Sequence, residues 1–162
     1  LTPISRSALL LGHILAGAFV LLLQTAIITG IALLMGLHSS TGVAGLLFVL
    51  GFAVLIGTGF SGFTMSIALR TGNSAATQGA GFIFFPLSFL TATFVPYELL
   101  GGWLKVAATI NPITYILDAM RSVLIEGWDT EKLLIGLMAA FVLAVIPFLL
   151  SLLALKSRTA RK

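Results

Sequence analysis

The chain has 162 residues, of which 59% are hydrophobic and 9% are charged, and it contains no cysteine. Soluble domains carry about 25% charged residues, so a water-soluble globular fold is excluded, and the lack of cysteine excludes a disulfide framework, a thiolate nucleophile and a cysteine metal site. The net charge of +4 would suggest nucleic acid in a soluble protein, but the basic residues lie at the ends of apolar runs, where they orient a membrane protein and need no nucleic acid partner.

Four apolar runs divide the chain, and the sequence predicts a membrane-spanning helix for each. The first is longer than the roughly 20 residues that a span needs, so its start is expected along the interface. The third reaches about 25 Å at 1.5 Å per residue, slightly less than the hydrocarbon core. We therefore expect an all-α, polytopic membrane helical bundle of four transmembrane helices, forming one domain over residues 1–162. The runs cover about residues 8–35, 43–69, 79–95 and 133–155.

The stretch between the third and fourth runs, residues 96–131, holds all five acidic residues of the protein. Within it Asn111 and Pro112 form a helix-start signal, because Asn can cap free N–H groups and Pro needs no N–H at the first helical position. Apolar residues recur at helical spacing on both sides, so two short amphipathic helices are predicted, and Gly127 can close the second. Each arm is about 20 Å long and too short to span, which predicts an external, re-entrant hairpin.

Four spans place both ends of the chain on one side of the membrane. Six basic residues flank the spans on that side and three lie on the other, so the positive-inside rule predicts cytoplasmic termini and an external hairpin. The chain begins without a cleavable signal pattern, and we expect it to be part of a longer protein. The six are Arg6, Arg70, Lys156, Arg158, Arg161 and Lys162, and the three are Lys105, Arg121 and Lys132.

The second apolar run contains Gly57, Gly59 and Gly62 in the pattern GxGxxG. A nucleotide site would need a strand before the pattern, a helix after it and an acidic residue about 20 positions on. The pattern instead lies inside an apolar span, and the next acidic residue is Glu98. Glycines let helix backbones approach closely in lipid, so we predict helix packing against another helix of this chain or against a second copy.

Two polar side chains, His13 and Gln24, interrupt the first apolar run. Such residues usually face the interior of a bundle and can mark a substrate route. His13 is near one end of the run, where an interfacial position explains it. Gln24 is deeper, where it can make an interhelical hydrogen bond or line a substrate path.

The second short helix of the hairpin has a predicted polar side formed by Thr114, Asp118, Arg121 and Ser122. Asp118 and Arg121 are three residues apart and can pair on one face. They form either a solvent-exposed helix face with a weak ion pair or a gate at the outer mouth of a transport path. Aromatic residues of the stretch are predicted to anchor it at the membrane interface; they are Tyr97, Trp103, Tyr115 and Trp128.

The stretch from Phe85 to Gly127 resembles the carboxy-terminal half of the type-2 ABC export permeases, the ABC-2 type transporters, and the resemblance covers essentially the whole chain. The segment Thr2-Pro3-Ile4-Ser5-Arg6 is also similar to the end of the cytoplasmic coupling segment of that family. One departure is Gly101-Gly102, where Pro commonly precedes the Trp. The motif residues are Phe94, Pro96, Trp103-Leu104, Asn111-Pro112-Ile113-Thr114-Tyr115, Asp118-Ala119-Met120-Arg121 and Gly127.

The resemblance implies a prokaryotic plasma-membrane permease with six spans, of which this chain supplies the last four. Members of the family pair as homodimers or heterodimers and work with a separate or fused ABC ATPase. ATP and magnesium are held by that ATPase, so no cofactor, metal or catalytic residue is expected here. The family exports drugs, as in multidrug resistance, and also lipids and polysaccharides. The resemblance assigns ATPase coupling to Thr2, Pro3, Ser5, Arg6 and Arg70, and the external gate to Trp103, Asn111, Pro112, Tyr115, Asp118 and Arg121.

Two other classes of function stay open at this point. A membrane-embedded lipid-modifying enzyme could use the external carboxylates Glu98, Asp118 and Glu126, and it would act without an ATPase. An ion-coupled transporter needs an ionisable group at mid-membrane, whereas His13 lies near one end of its run. The sequence has no phosphate loop followed by Lys-Ser or Lys-Thr, so we do not expect ATP hydrolysis by this chain itself.

Overall fold

The computed structural model describes residues 6–91 and 101–159, and every regular element in these ranges is helical. This confirms the all-α class. Three of the described helices are long and apolar enough to cross a membrane. The elements are α1 (Arg6–Leu34), α2 (Gly42–Thr71), α3 (Ser74–Gly81), α4 (Phe84–Phe89), α5 (Gly102–Ile110), α6 (Pro112–Arg121), a π-helical turn (Ser122–Glu126) and α7 (Thr130–Thr159).

The third apolar run is divided in its described part. The helix α3 ends at Gly81 and α4 begins at Phe84, while residues 92–95 lie outside the described ranges. Pro86 lies in the first turn of α4, where its missing N–H leaves no helical hydrogen bond unmade. In one continuous helix, Pro86 would remove the bond to the carbonyl of Phe82. The described part of this run therefore contains two short helices instead of one span.

The two long helices α2 and α7 form the most extensive helix–helix interface in the described part of the chain. A side chain at Gly59 would meet Leu143 of α7, and one at Gly62 would meet Phe148. Because the residue numbers rise together on both helices, α2 and α7 run parallel. The chain between them must therefore return along the length of the bundle, which is the role that hydropathy predicts for the third run.

The buried core is built from α2, α6 and α7, so the second arm of the hairpin packs inside the bundle. Its centre consists of Phe52, Ile116, Ala119 and Ala140, each at most 1% exposed. A Cβ atom at Gly136 of α7 would lie 2.4 Å from the Cβ atom of Ala119. The small residues at this contact let α6 and α7 approach closely.

The prediction that Thr114 and Ser122 lie on an exposed polar side of the second short helix is wrong. Thr114 is 2% exposed and Ser122 is fully buried, because α6 packs against both α2 and α7 and little of its surface remains exposed. The Ser122 hydroxyl donates to the carbonyl of Gly127 at 2.9 Å. The Thr114 hydroxyl has no hydrogen-bond partner within the described structure. Gly127 ends the π-helical turn at φ +115°, which side chains rarely adopt.

Candidate functional site

The junction of the hairpin is held by the side chain of Asn111, which is 5% exposed. Its Oδ1 accepts the N–H of Ile113 at 3.0 Å and so caps α6. Its Nδ2 donates to the carbonyls of Leu87 and Leu90 at 2.7 and 3.1 Å. One amide therefore connects the carboxyl end of α4 to the start of α6.

The two hairpin arms are also tied by Tyr115, whose hydroxyl donates to the carbonyl of Thr109 at 2.7 Å. This bond crosses from α6 back to the last turn of α5. Together with the bonds of Asn111 it provides partners for backbone carbonyls near the junction. Such partners are what non-helical backbone requires at membrane depth.

The hairpin junction lies near the middle of the bundle. Ile113, at the start of α6, lines the same cavity as Ile56, which is close to the midpoint of α2. At the other end of this arm, Val123 lies against Gly45 near the start of α2. The second arm thus runs from mid-bundle to the end where α2 begins, as a re-entrant element would.

Beside this junction is a cavity of about 600 Å³, here called the inner cavity, between α1, α2, α4, α6 and α7. Its walls are mostly apolar, with five polar side chains distributed among them. This size and composition are typical of sites for drug-sized ligands. The lining includes His13, Gln24, Phe60, Ser61, Thr64, Phe84, Ser88, Ile113 and Leu143.

Both polar residues of the first apolar run line the inner cavity. His13 and Gln24 are eleven residues apart in α1, about three helical turns, so they lie on one face about 16 Å from each other. No interhelical hydrogen bond to Gln24 is present among the described residues. Gln24 is exposed at the wall of the cavity.

The three glycines of the GxGxxG pattern lie at close approaches between α2 and its neighbours. A Cβ atom at Gly57 would lie 2.8 Å from Ala18 of α1. A Cβ atom at Gly59 would lie 2.2 Å from the carbonyl oxygen of Leu143, and one at Gly62 would lie 3.1 Å from a backbone nitrogen of α7. The glycines therefore serve two interfaces, α1 on one side and α7 on the other.

Comparison with known proteins identifies the family of this chain. Residues 1–125 match the family model described as ABC-2 type transporter. The chain belongs to the ABC-2 type transporter family. The resemblance inferred from the motifs of the hairpin region is thereby confirmed.

Members of the family with related sequences are named as drug-resistance permeases. The chain is 24% identical over 125 residues to the probable doxorubicin resistance ABC transporter permease protein DrrC of Mycobacterium tuberculosis, covering 77% of this chain and 45% of that protein. It is 31% identical over 149 residues to the daunorubicin resistance ABC transporter permease protein DrrB1 of Streptomyces coeruleorubidus, covering 86% of this chain and 50% of that protein. The chain thus spans about half the length of these curated relatives. No solved structure matches it.

The residues that the ABC-2 resemblance assigns to ATPase coupling belong to one end of the bundle where they are described. Arg6 begins α1 and Arg70 lies exposed in the last turn of α2. Gly17 of α1 packs against Ser61 of α2, and Leu21 lies against Gly57, so the two helices run antiparallel and these ends are neighbours. The remaining residues of this set, Thr2, Pro3 and Ser5, lie outside the described ranges.

The residues assigned to the external gate do not form one cluster. Trp103 is 74% exposed on α5, whereas Asp118 and Arg121 are half-buried on α6. Asn111 and Tyr115 instead hold the hairpin junction. Pro112 occupies the first position of α6, as its sequence context predicts.

Sequence reasoning missed a set of hydrogen bonds that fixes the end of the hairpin at Val123 and Leu124 to the loop before α2. The hydroxyl of Thr41 donates to the carbonyl of Val123 at 2.7 Å, and the N–H of Ser40 donates to Leu124 at 3.0 Å. These carbonyls belong to the end of a helix, where partners within the helix are lacking. The only signal in the sequence was the hydroxyl cluster in the turn at residues 39–41.

The charged side chains near the start of α7 form a small exposed network. The ammonium group of Lys132 pairs with Glu126 and lies 3.9 Å from a carboxylate oxygen of Asp129. Glu126, one of the three carboxylates considered for lipid chemistry, is thus engaged in an ion pair. Glu98 lies outside the described ranges.

Proposed function

We propose that this chain is the membrane permease part of an ATP-driven exporter, which moves an amphipathic substrate from the cytoplasm through the inner cavity. The observation that carries the proposal is the cavity itself, a drug-sized space with apolar walls and dispersed polar groups in a member of the ABC-2 family. The names of the two relatives support a drug such as doxorubicin or daunorubicin as substrate. Lipids and polysaccharides are the other candidates.

The chain would act as a transport subunit within a larger assembly. An ABC ATPase, separate or fused, would bind ATP and magnesium, and a second permease copy would complete the pathway. The basic residues at the ends of α1, α2 and α7 support cytoplasmic termini in a prokaryotic plasma membrane. The ATPase would then contact the end of the bundle that contains Arg6 and Arg70.

The role of the inner cavity is tested by replacing Gln24 with leucine, which keeps the size of the side chain and removes its amide. In inside-out vesicles with the full-length permease and its ATPase, we expect the KM for ATP-driven doxorubicin uptake to rise about threefold to tenfold, the effect of one lost hydrogen bond. The control is Thr25→Val, which removes a polar group from the next residue of α1, outside the cavity lining. An unchanged KM for Gln24→Leu, or an equal change in both variants, would contradict this site.

Coupling to the ATPase is tested by charge reversal at Arg6 and Arg70. If these residues contact acidic groups of the ATPase, Arg6→Glu and Arg70→Glu will place like charges at that contact and reduce both transport and substrate-stimulated ATP hydrolysis. The measurement is ATPase activity of the purified complex with and without doxorubicin. The variants Arg6→Lys and Arg70→Lys keep the charge and are expected to retain most activity. Full stimulation in the glutamate variants would disprove the assignment.

A further inference from the structure

An open groove with a volume of about 640 Å³, here called the outer chamber, lies between α2, α3 and α4 next to the inner cavity. Phe82 and Phe85 in its lining are 74% and 66% exposed. The outer chamber shares four lining residues with the inner cavity and adds five of its own. The shared residues are Phe60, Thr64, Phe84 and Ser88, and the others are Thr77, Gln78, Gly81, Phe82 and Phe85.

The partition between the two cavities contains a pair of aromatic side chains. The ring of Phe84 meets the ring of Phe60 edge-on, with centroids 5.2 Å apart, and meets Phe63 in the same way at 5.4 Å. The Phe60 ring lies 3.5 Å from the position of a Cβ atom at Gly81. Because side chains can change rotamer without moving a helix, this part of the partition can open while α2 and α4 stay in place.

The hydroxyl groups of the outer chamber offer hydrogen-bond acceptors, and the amide of Gln78 can both accept and donate. The hydroxyl of Thr64 donates to the carbonyl of Phe60 at 3.1 Å, and that of Thr77 donates to Asn73 at 2.9 Å. With the hydrogen occupied in this way, the oxygen of each hydroxyl can still accept. The faces of the phenylalanine rings are also regions of negative potential. A flat aromatic ligand with N–H or O–H donors, or with an ammonium group, complements this lining.

We propose that the outer chamber is a second ligand site, for donor-bearing aromatic amphiphiles, separated from the inner cavity by Phe60 and Phe84. The inference rests on the proposed export function for its direction of transport. The chamber lies beside the carboxyl-terminal half of α2, the half that ends at Arg70 and that the charge pattern places on the cytoplasmic side. Phe60, Ser61 and Thr64 of the same half also line the inner cavity, together with His13 of α1, so a ligand from that side can enter either space.

The binding test uses cysteine protection, which suits these 162 residues because they contain no cysteine. The variant Gln78→Cys, in the full-length permease with its ATPase and with any other cysteine replaced, is reacted with a fluorescent maleimide in liposomes. We expect 1-pyrenemethylamine to slow the reaction in a saturable way without ATP. The matched anion 1-pyrenesulfonate, which lacks a donor, is expected to protect at least about tenfold more weakly, equivalent to 1.4 kcal/mol.

The contribution of Thr77 provides a second readout. Thr77→Val should raise the half-protecting concentration of 1-pyrenemethylamine about threefold, as expected for one weak hydrogen bond. The control Thr58→Val removes a hydroxyl that bonds its own helix in the same way, to the carbonyl of Val54 at 2.8 Å, outside both cavity linings. Equal protection by the two pyrenes, protection by neither, or equal effects of the two valine variants would overturn the proposed site.

The partition is tested by enlarging one ring. Phe84→Trp should lower ATP-driven doxorubicin transport about tenfold, because gating side chains limit passage. Protection of Gln78→Cys is measured in the same variant, since Phe84 also lines the outer chamber. The control is Phe89→Trp in the same helix, where the exposed ring contacts Phe85 and lines neither cavity. Unchanged transport in Phe84→Trp would show that Phe84 does not control passage between the two cavities. Protection without any ATP-driven transport would disprove the exporter and leave the ligand site, whereas transport without protection would disprove the second ligand site alone.

Discussion

Replacement of Gly59 by alanine is expected to destabilise the permease by about 2 kcal/mol or more, and replacement by leucine to prevent its folding. The added Cβ atom would lie 2.2 Å from the carbonyl oxygen of Leu143 and 3.1 Å from the Cα atom of Ala144. Overpacking a tight core costs about 1–3 kcal/mol even where side chains can adjust. Here the obstacle is backbone, so α2 and α7 would have to move apart along their whole interface.

The matched control is Gly51→Ala, in the same helix, because a Cβ atom at Gly51 meets nothing within 4 Å. Alanine also favours a helix by up to about 1 kcal/mol over glycine, so this variant should be at least as stable as the wild type. The thermal stability of both variants is measured by heating the full-length permease in detergent and following its aggregation by gel filtration. If Gly59→Ala and Gly51→Ala melt at the same temperature, α2 and α7 do not pack as described.

The long helices could be predicted because their signal is local. Continuous apolar runs of sufficient length need no partner to be recognised, and the second run predicted at residues 43–69 appears as a helix from Gly42 to Thr71. The third run carries conflicting local signals, since its hydropathy favours a span while Gly79, Gly81 and Pro86 weaken a continuous helix. Hydropathy alone could not decide where that run would break.

The candidate site could be predicted only in part, because its walls join residues far apart in sequence. Gln24 was recognisable as a polar group in an apolar run, but the contact between Phe60 and Phe84 leaves no trace in residue spacing. The burial of Thr114 likewise depends on α2 and α7 packing around α6, a tertiary effect that overrides the helical period. Asn111 was predictable as a cap, whereas its two bonds to α4 required knowing where α4 lies.

The hydrogen bonds from the Asn111 amide to the carbonyls of Leu87 and Leu90 make Asn111 the residue at which a conservative substitution should have the largest effect on export. Asn111→Ala removes the cap, worth about 1 kcal/mol, and leaves the carbonyls of Leu87 and Leu90 without their donor, at about 1–3 kcal/mol for each buried group. We expect a total loss of at least about 3 kcal/mol and the loss of doxorubicin export, because the junction positions Ile113 in the wall of the inner cavity.

The informative variant is Asn111→Asp, because aspartate and asparagine are about equally good helix caps. Aspartate keeps the acceptor for the N–H of Ile113, but an ionised carboxylate has no donor and would face the carbonyl oxygens of Leu87 and Leu90. If the bonds to α4 hold the junction, Asn111→Asp should be at least as damaging as Asn111→Ala, in both export and thermal stability.

The exposed cap Asn73 supplies the matched comparison. Its Oδ1 accepts the N–H groups of Ala75 and Ala76 at 2.8 and 3.4 Å at the start of α3, so its described side-chain bonds are those of a cap. Asn73→Asp should therefore be neutral, and Asn73→Ala should cost about 1 kcal/mol. An Asn111→Asp variant that transports doxorubicin like the wild type would show that capping alone accounts for Asn111. The connection from the hairpin junction to α4 would then have no part in export.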